Sequence, residues 1–361
     1  MDIDIILEAD VTPQQMVELG VEAERIGIRA LWSSNYHFQW DAFLSLAPLA
    51  LATSKLIIGP LAVSPWEMHP LKMANALLTL NEISNGRAMI AVSGGGGLLG
   101  AMGWRAANDG PVWPPYHPEK RVSEPDRRVR AMRECIEVLK VARTGELSMG
   151  YDGGVFVIRR PFMMAWAKHD GPLLYTCSSL PQTIQMGARV ADGIQYSDYT
   201  PEMMAEGMEN VRAGLAKRDA PAEDFRVGNF WAWHIKKDRE ASLWEGRREL
   251  IWRGAIIGQI RKDIRPYCHD EAEVDLVLDN WDDLRIAART SSGNIDSIPD
   301  DLLHRLIAGM SSAGDMDDID REIERYKQFE EGGLTELCLR LFDHPMDGLK
   351  MIGERVVPAF R

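Results

Sequence analysis

Three short apolar runs, Ala30–Trp32, Leu56–Ile58 and Ala88–Val92, each end in a polar or glycine-rich loop, and a segment of helical period joins each to the next. That alternation predicts successive β/α units and therefore a parallel sheet. The pattern extends in both directions. Ile3–Leu7 reads as a first strand. Thr12-Pro13 then opens a helix, with Thr as cap and Pro in the first turn, whose inner side is Met16, Leu19, Val21, Ala23 and Ile26 and whose end is Gly27. Phe43, Leu46, Ala47 and Ala50 repeat at three-four spacing, Pro70–Ile83 is a third helix, and a fourth starts at Pro125 with Val129, Met132, Ile136 and Leu139 in register.

Further strands are expected at Pro172–Thr176, Gly193–Tyr196, Val227–Ile235 and Thr335–Leu341, with helices at Pro181–Val190, Pro201–Lys217, Met316–Phe329 and Asp347–Ala359. Asp152-Gly153-Gly154 beside alternating Val155 and Val157 reads as a hairpin within Leu147–Ile158. Eight strands in one composition regime predict a single (β/α)8 barrel domain over 1–361, with insertions at about 94–120, 147–170 and 236–300. The length suits a fold whose core takes about 250 residues.

Composition adds mostly exclusions. A net charge of -13 with no basic stripe speaks against nucleic acid as a partner. No apolar run approaches the ~20 residues that span a bilayer, and the acidic start MDIDIILEAD is unlike a signal peptide, so a cytoplasmic protein without a membrane partner is expected. Cys135, Cys177, Cys268 and Cys338 form no CxxC pair, which points to reduced thiols and no metal site.

Chemistry in parallel α/β barrels is kept in the loops after the strands. Here these are Ser33–His37, Pro60–Pro65 and Ser93–Gly97. With Trp32-x-x-x-x-His37-Phe38, Gly59 to His69-Pro70, Ser84-Asn85-Gly86-Arg87, Arg189-Val190-Ala191-Asp192-Gly193 and Phe329 to Leu334, in that order and spacing, the chain resembles the luciferase-like superfamily of flavin- and F420-dependent oxidoreductases. The resemblance implies reduced FMN or the deazaflavin F420 at the strand ends, and a non-prolyl cis peptide joining Leu61 to Ala62 under the ring. Ser93 and Gly94 would wall the cofactor, and Ser178, Ser179 and Leu180 would form a phosphate loop before the Pro181 helix, where free amides and the helix dipole favour an anion. Leu180 and Gln182 stand where the family commonly has Gly and a basic residue, which weakens the expected grip.

His37-Phe38 aligns without a gap to the His-Phe of bacterial luciferase, which makes a reduced-FMN monooxygenase the expected activity, acting on a small organic substrate with O2 and fed by a separate flavin reductase. The alternative is F420-dependent hydride transfer. F420-using relatives carry Asp-His where this chain has Asn35 and Tyr36, and methanopterin reductases carry a strand-one glutamate where it has Ile6, with Glu8 two residues on. A third reading, a catalytically silent flavin-binding subunit, is kept open by the departures at Asn35, Tyr36, Leu180 and Gln182. His37 is the expected acid, base or hydroperoxide partner, with Asn35 and Tyr36 as neutral hydrogen-bonders. Trp66, Trp104, Trp233 and His234 are candidates for the substrate pocket. His69 is expected to fix the start of a helix, the charged run Lys236–Arg248 to be a solvated helix face and the insertion around it a lid. The family resemblance also implies a homodimer.

Overall fold

The computed structural model describes residues 1–95, 101–102, 127–253 and 261–361. Its eight parallel strands are β1 Asp2–Leu7, β2 Ala30–Ser34, β3 Ile57–Val63, β4 Met89–Val92, β5 Leu173–Cys177, β6 Gly193–Ser197, β7 Arg226–Trp233 and β8 Glu336–Leu341. They close into a (β/α)8 barrel in chain order, with β8 paired to β1 from Asp2↔Glu336 to Leu7↔Leu341. Period-two alternation sorts the side chains. Ile3, Ile5 and Leu7 face the helices, whereas Ile6, Trp32, Met89, Tyr175, Phe230 and Cys338 fill the interior.

The helices form where spacing and caps require them. In α1 (Pro13–Ile26) Thr12 and Gln15 make a reciprocal capping box, and Gly27 ends the helix at φ 87°. Met16, Leu19 and Ala23 are buried, but Val21 is 44% exposed, because a residue two beyond Leu19 lies on the far side of the helix. Asp41 caps α2 (Ala42–Ala52) by accepting from the Leu44 amide at 2.8 Å. Its buried face is Ala42, Ser45, Leu46, Leu49 and Ala50, with Phe43 and Ala47 on the flank. The His69 Nδ1 caps α3 (Pro70–Ile83) from the Leu71 amide at 3.2 Å. The next helix whose residues are described, α4, runs Arg128–Arg143, and Pro125, Trp104 and Trp113 lie outside the described residues. Then come α5 (Pro181–Val190), α6 (Met204–Leu215) and α7 (Arg239–Arg253).

A polar network fills the barrel at the N-terminal ends of the strands. Arg29 is ion-paired to Asp4 and to Glu336 (2.7 Å), and Arg226 Nε donates to Glu336 at 2.5 Å. Gln195 Nε2 donates to Glu336 at 3.1 Å. Asp4, Gln195 and Glu336 are fully buried, so this end is a sealed floor rather than a binding site.

Residues from α7 to Ala313 build a second, smaller core of their own, including Leu250, Val274, Leu284, Leu303 and Ile307. The chain's last stretch is not one helix. It starts as α-helix at Pro345–Met351, widens to a π turn at Ile352–Val356 and tightens at Val357–Phe360, where Pro358 has no amide to continue the ladder.

Candidate active site

At the opposite end from the sealed floor, the C-terminal ends of the strands open into a cleft of ≈ 2000 Å³. Its wall at β3 is irregular. The Leu61–Ala62 peptide is cis, and the register against β4 shifts between Leu61 and Val63. The loop after β2 brackets this bulge. The Asn35 amide N–H donates to the Leu61 carbonyl at 3.0 Å, and Asn35 Nδ2 donates both to the Ala62 carbonyl (3.2 Å) and to Glu67 Oε1 (2.6 Å). Glu67 Oε2 is buried with no hydrogen-bond partner among the described residues, and burial raises the pKa of its carboxyl. Asn35 therefore serves the shape of the bulge. Beside it, Ser93 donates its amide to the Val63 carbonyl at 3.0 Å and accepts from the Gly95 amide at 3.3 Å. A side chain at Gly94 would meet Arg128 and Met132 only at ordinary contact distance, so the glycine there is not sterically required.

A charged cluster occupies the mouth near β1, β2 and β8. Arg340 Nε donates to Glu8 Oε1 at 2.5 Å and Nη2 to Glu8 Oε2 at 3.2 Å, while Nη2 also donates to the Tyr36 hydroxyl. Ser34 Oγ donates to Glu8 at 3.2 Å. Burial pushes the Tyr36 phenol up, and although burial opposes it, the charges of Glu8 and Tyr36 hold the Arg340 guanidinium firmly protonated. From α7 come Arg248, whose guanidinium makes two 3.0 Å bonds to Asp343, and Glu249, which accepts from Arg248 Nε at 2.7 Å. Glu249 is only 9% exposed, and burial first, then the charge of Glu8, raise its pKa. Asp10 at the rim is raised by the same two causes. The Cys177 thiol at the end of β5 is pushed up to about 12 by burial, so it is no nucleophile.

The third region is the loop before α5. Ser178 Oγ accepts from the Leu180 amide at 3.0 Å, Ser179 Oγ donates to the Ser197 carbonyl at 3.1 Å, and Leu180 is 67% exposed. Two of this loop's donors are thus already committed. The cleft nevertheless continues past the helix N-terminus into an arm lined by Arg127, Arg128, Arg130 and Arg133 at the start of α4, Arg189 at the end of α5, and Lys217 after α6. Positive charge is supplied here by side chains distant in sequence.

Of the residues singled out from the sequence, Asn35, Tyr36, His37, Leu61, Ala62, Ser93, Gly94, Ser178, Ser179 and Leu180 all line this one cleft. His37 is exposed, its ring edge-on to that of Phe38 (4.7 Å), and it makes no hydrogen bond among the described residues. Of the expected substrate-pocket residues, Trp66, Trp233 and His234 are not in the lining. Trp66 packs on Phe156 of the hairpin at 5.6 Å. Trp233 is buried on the helix-facing side of β7, because it stands an odd three residues beyond Phe230, which faces the interior. His234 is buried against Glu245 (2.8 Å) and Phe342. Trp104 is not among the described residues. Arg340 and Glu249 were not anticipated. A lone arginine in the apolar strand ELCLRL was the available signal for the first, whereas nothing distinguished Glu249 within a charge-rich helix.

The luciferase-like monooxygenase family profile matches residues 2–336, and the chain belongs to this family of oxidoreductases. It is 22% identical to the 5,10-methylenetetrahydromethanopterin reductase of Archaeoglobus fulgidus, over 94% of this chain and 93% of that protein. Among solved structures it is similar to the F420-dependent tetrahydromethanopterin reductase of Methanopyrus kandleri, with TM-score 0.77, 19% identity, and coverage of 100% and 99% of the two chains. It is also similar to a monooxygenase from Streptomyces bottropensis, with TM-score 0.63, 15% identity and full coverage of both chains. At these identities the two structural likenesses establish the barrel fold alone.

Proposed function

We propose that this protein is an F420-dependent oxidoreductase that moves a hydride between the deazaflavin and a small organic substrate. The observation that carries the reading is the cationic arm of the cleft, which runs from the α5 N-terminus to Arg127, Arg189 and Lys217, with Arg130 and Arg133 beside it paired to Glu134 and Glu137. One phosphate, as on FMN, needs fewer cations than this, whereas the side chain of F420 bears a phosphodiester and several carboxylates. The cleft also exceeds the ~300–1,000 Å³ of ordinary ligand pockets, as a long cofactor plus a substrate requires. The residues present therefore fit the cofactor: the Leu61–Ala62 bulge, Ser93 and Gly94 for the ring, and Ser178 with the arm's cations for the chain. When bound, F420 supplies or accepts the hydride.

Two further features support the reading over the reduced-FMN monooxygenase that the His37 alignment suggested. A flavin hydroperoxide must be shielded from water in a dry pocket. Here the mouth is ringed by Glu8, Asp10, Arg248, Glu249, Arg340 and Asp343, and His37 is exposed. The relatives named as reductases, at 22% identity over nearly the whole chain, point the same way.

Anaerobic titration with reduced F420 and, separately, reduced FMN, followed by admission of air, tests the proposal. F420 is expected to bind with an affinity that falls steeply with salt, and air to cause no oxygen uptake. FMN binding followed by oxygen consumption would overturn it and restore the monooxygenase.

A further inference from the structure

Among the described residues, Arg340 is the one guanidinium at the barrel mouth that rises from a strand of the barrel itself, and its bonds are one-sided. Nε and Nη2 are taken by Glu8 and Tyr36, whereas Nη1 has no partner among the described residues and the side chain lines the cleft. An arginine presents its five N–H groups in a rigid fork, so with Nε and Nη2 locked on Glu8 the direction of Nη1 is set. Phe342 lies under the guanidinium at 5.4 Å and blocks that side. Glu249 reaches the same space from α7, and Glu8, Tyr36, Arg248 and Arg340 are the charged and titratable groups that act on it.

Charge balance limits what Nη1 can hold. Arg340 is matched by Glu8 and Arg248 by Asp343, and a protonated Glu249 adds no charge. Neither of these two guanidiniums is left uncompensated, so an anionic substrate would gain a hydrogen bond but no net attraction from them, and would meet Asp10 as well. A neutral oxygen gains the hydrogen bond without that opposition.

We propose that Arg340 Nη1 grips the oxygen of a neutral carbonyl or alcohol substrate and that Glu249 exchanges the proton on that oxygen. The proposal rests on the hydride-transfer reading above and adds the substrate class and the acid. In the reducing direction the carbonyl carbon gains the hydride and its two electrons from reduced F420. The π pair of the C=O bond moves to oxygen, and that oxygen takes the proton of Glu249. The products are the alcohol, oxidised F420 and a Glu249 carboxylate that regains its proton from water at the mouth. The raised pKa of Glu249 keeps it protonated at higher pH than an ordinary glutamate, as a proton donor needs.

Four probes sharing one ring separate the chemistries: cyclohexanone, cyclohexanol, cyclohexanecarboxylate and cyclohexylammonium, followed by saturation-transfer NMR on the full chain with and without reduced F420. Ketone and alcohol are expected to bind, the two ions not. Arg340→Lys, which keeps the charge on Glu8 but loses the fork, should weaken the ketone roughly tenfold, and Arg340→Met more. In cyclohexanone turnover by the F420-loaded protein, the rate should fall as pH rises through the pKa of Glu249, and Glu249→Gln should remove that limb while leaving ketone binding within about twofold. Arg340-dependent binding of the carboxylate, preferential binding of the ammonium, or binding of none of the four would overturn the proposal. Ketone binding lost in Arg340→Lys but accompanied by no affinity for F420 would sink the cofactor reading and leave the substrate grip standing.

Discussion

At the scale of single residues, the site depends on a few committed hydrogen bonds. Asn35 joins the Ala62 carbonyl to Glu67, so Asn35→Ala leaves a half-buried carbonyl and a half-buried carboxyl with fewer partners. A stability loss of about 1–3 kcal/mol is expected by thermal melting, with weaker cofactor binding in the same titration. His37 is exposed, its ring lies against that of Phe38, and it makes no hydrogen bond among the described residues. His37→Ala should leave the melting midpoint essentially unchanged, within ±0.5 kcal/mol, and cofactor affinity within about twofold. A large loss of affinity would return this histidine to the centre of the chemistry. The sequence drew attention to both residues because of where they follow β2, but position after a strand does not say which way a side chain points.

Among elements, the hairpin insertion is pinned to α4 by a buried carboxylate. Glu134 of α4 is fully buried and accepts from the amides of Gly154, Val155 and Phe156 at 2.8–2.9 Å, pinning the turn of the hairpin (Tyr151–Asp152 paired with Val157–Ile158). A Cβ on Gly153 would lie 2.3 Å from that carboxylate, which is why glycine stands there. Burial alone would raise the pKa of Glu134, yet the bonds from Phe156, Arg130 and the neighbouring amides outweigh it and lower it from the usual 4.5. The unfolded chain thus binds this proton more readily, and the contribution of Glu134 is present above about pH 4.5 and lost as pH falls through its depressed value. Glu134→Gln is expected to make the hairpin more sensitive to limited proteolysis at neutral pH, and to flatten the acid limb of the melting-temperature profile. An unchanged cleavage pattern would show that the hairpin is held by its apolar contacts instead. The hairpin was legible from Asp152-Gly153-Gly154, but its anchor was not, because Glu134 lies twenty residues earlier in an ordinary amphipathic helix.

Across the whole molecule, barrel closure brings the first and last strands together and seals the floor with charge. Arg29, in the loop before β2, bonds to Asp4 on β1 and Glu336 on β8. Arg29→Met would leave buried Asp4 with no ion-pair partner among the described residues and Glu336 with Arg226, and should cost about 3–5 kcal/mol in denaturant unfolding. A loss under 1 kcal/mol would mean that the carboxylates take up protons and tolerate the change. The net charge of -13 is likewise redistributed by folding, since Arg127, Arg130, Arg133, Arg189 and Lys217, scattered over ninety residues of sequence, line one arm of the cleft.

By itself the sequence determined the barrel. Hydrophobic period sets each element locally, β/α alternation leaves a parallel closed sheet as the way to bury all eight strands, and strand-end loops then share one face. It also located ten of the cleft residues, because loop position follows from strand position. Only the tertiary structure decided the chemistry. The direction of Trp233 depends on strand phase, the commitment of Asn35 and Ser179 on partners across the chain, and the pairing of Arg340 with Glu8 and Tyr36 on closure between β8 and β1. Burial and charge balance are sums over neighbours in space, and a linear reading has no access to them until the strands have met.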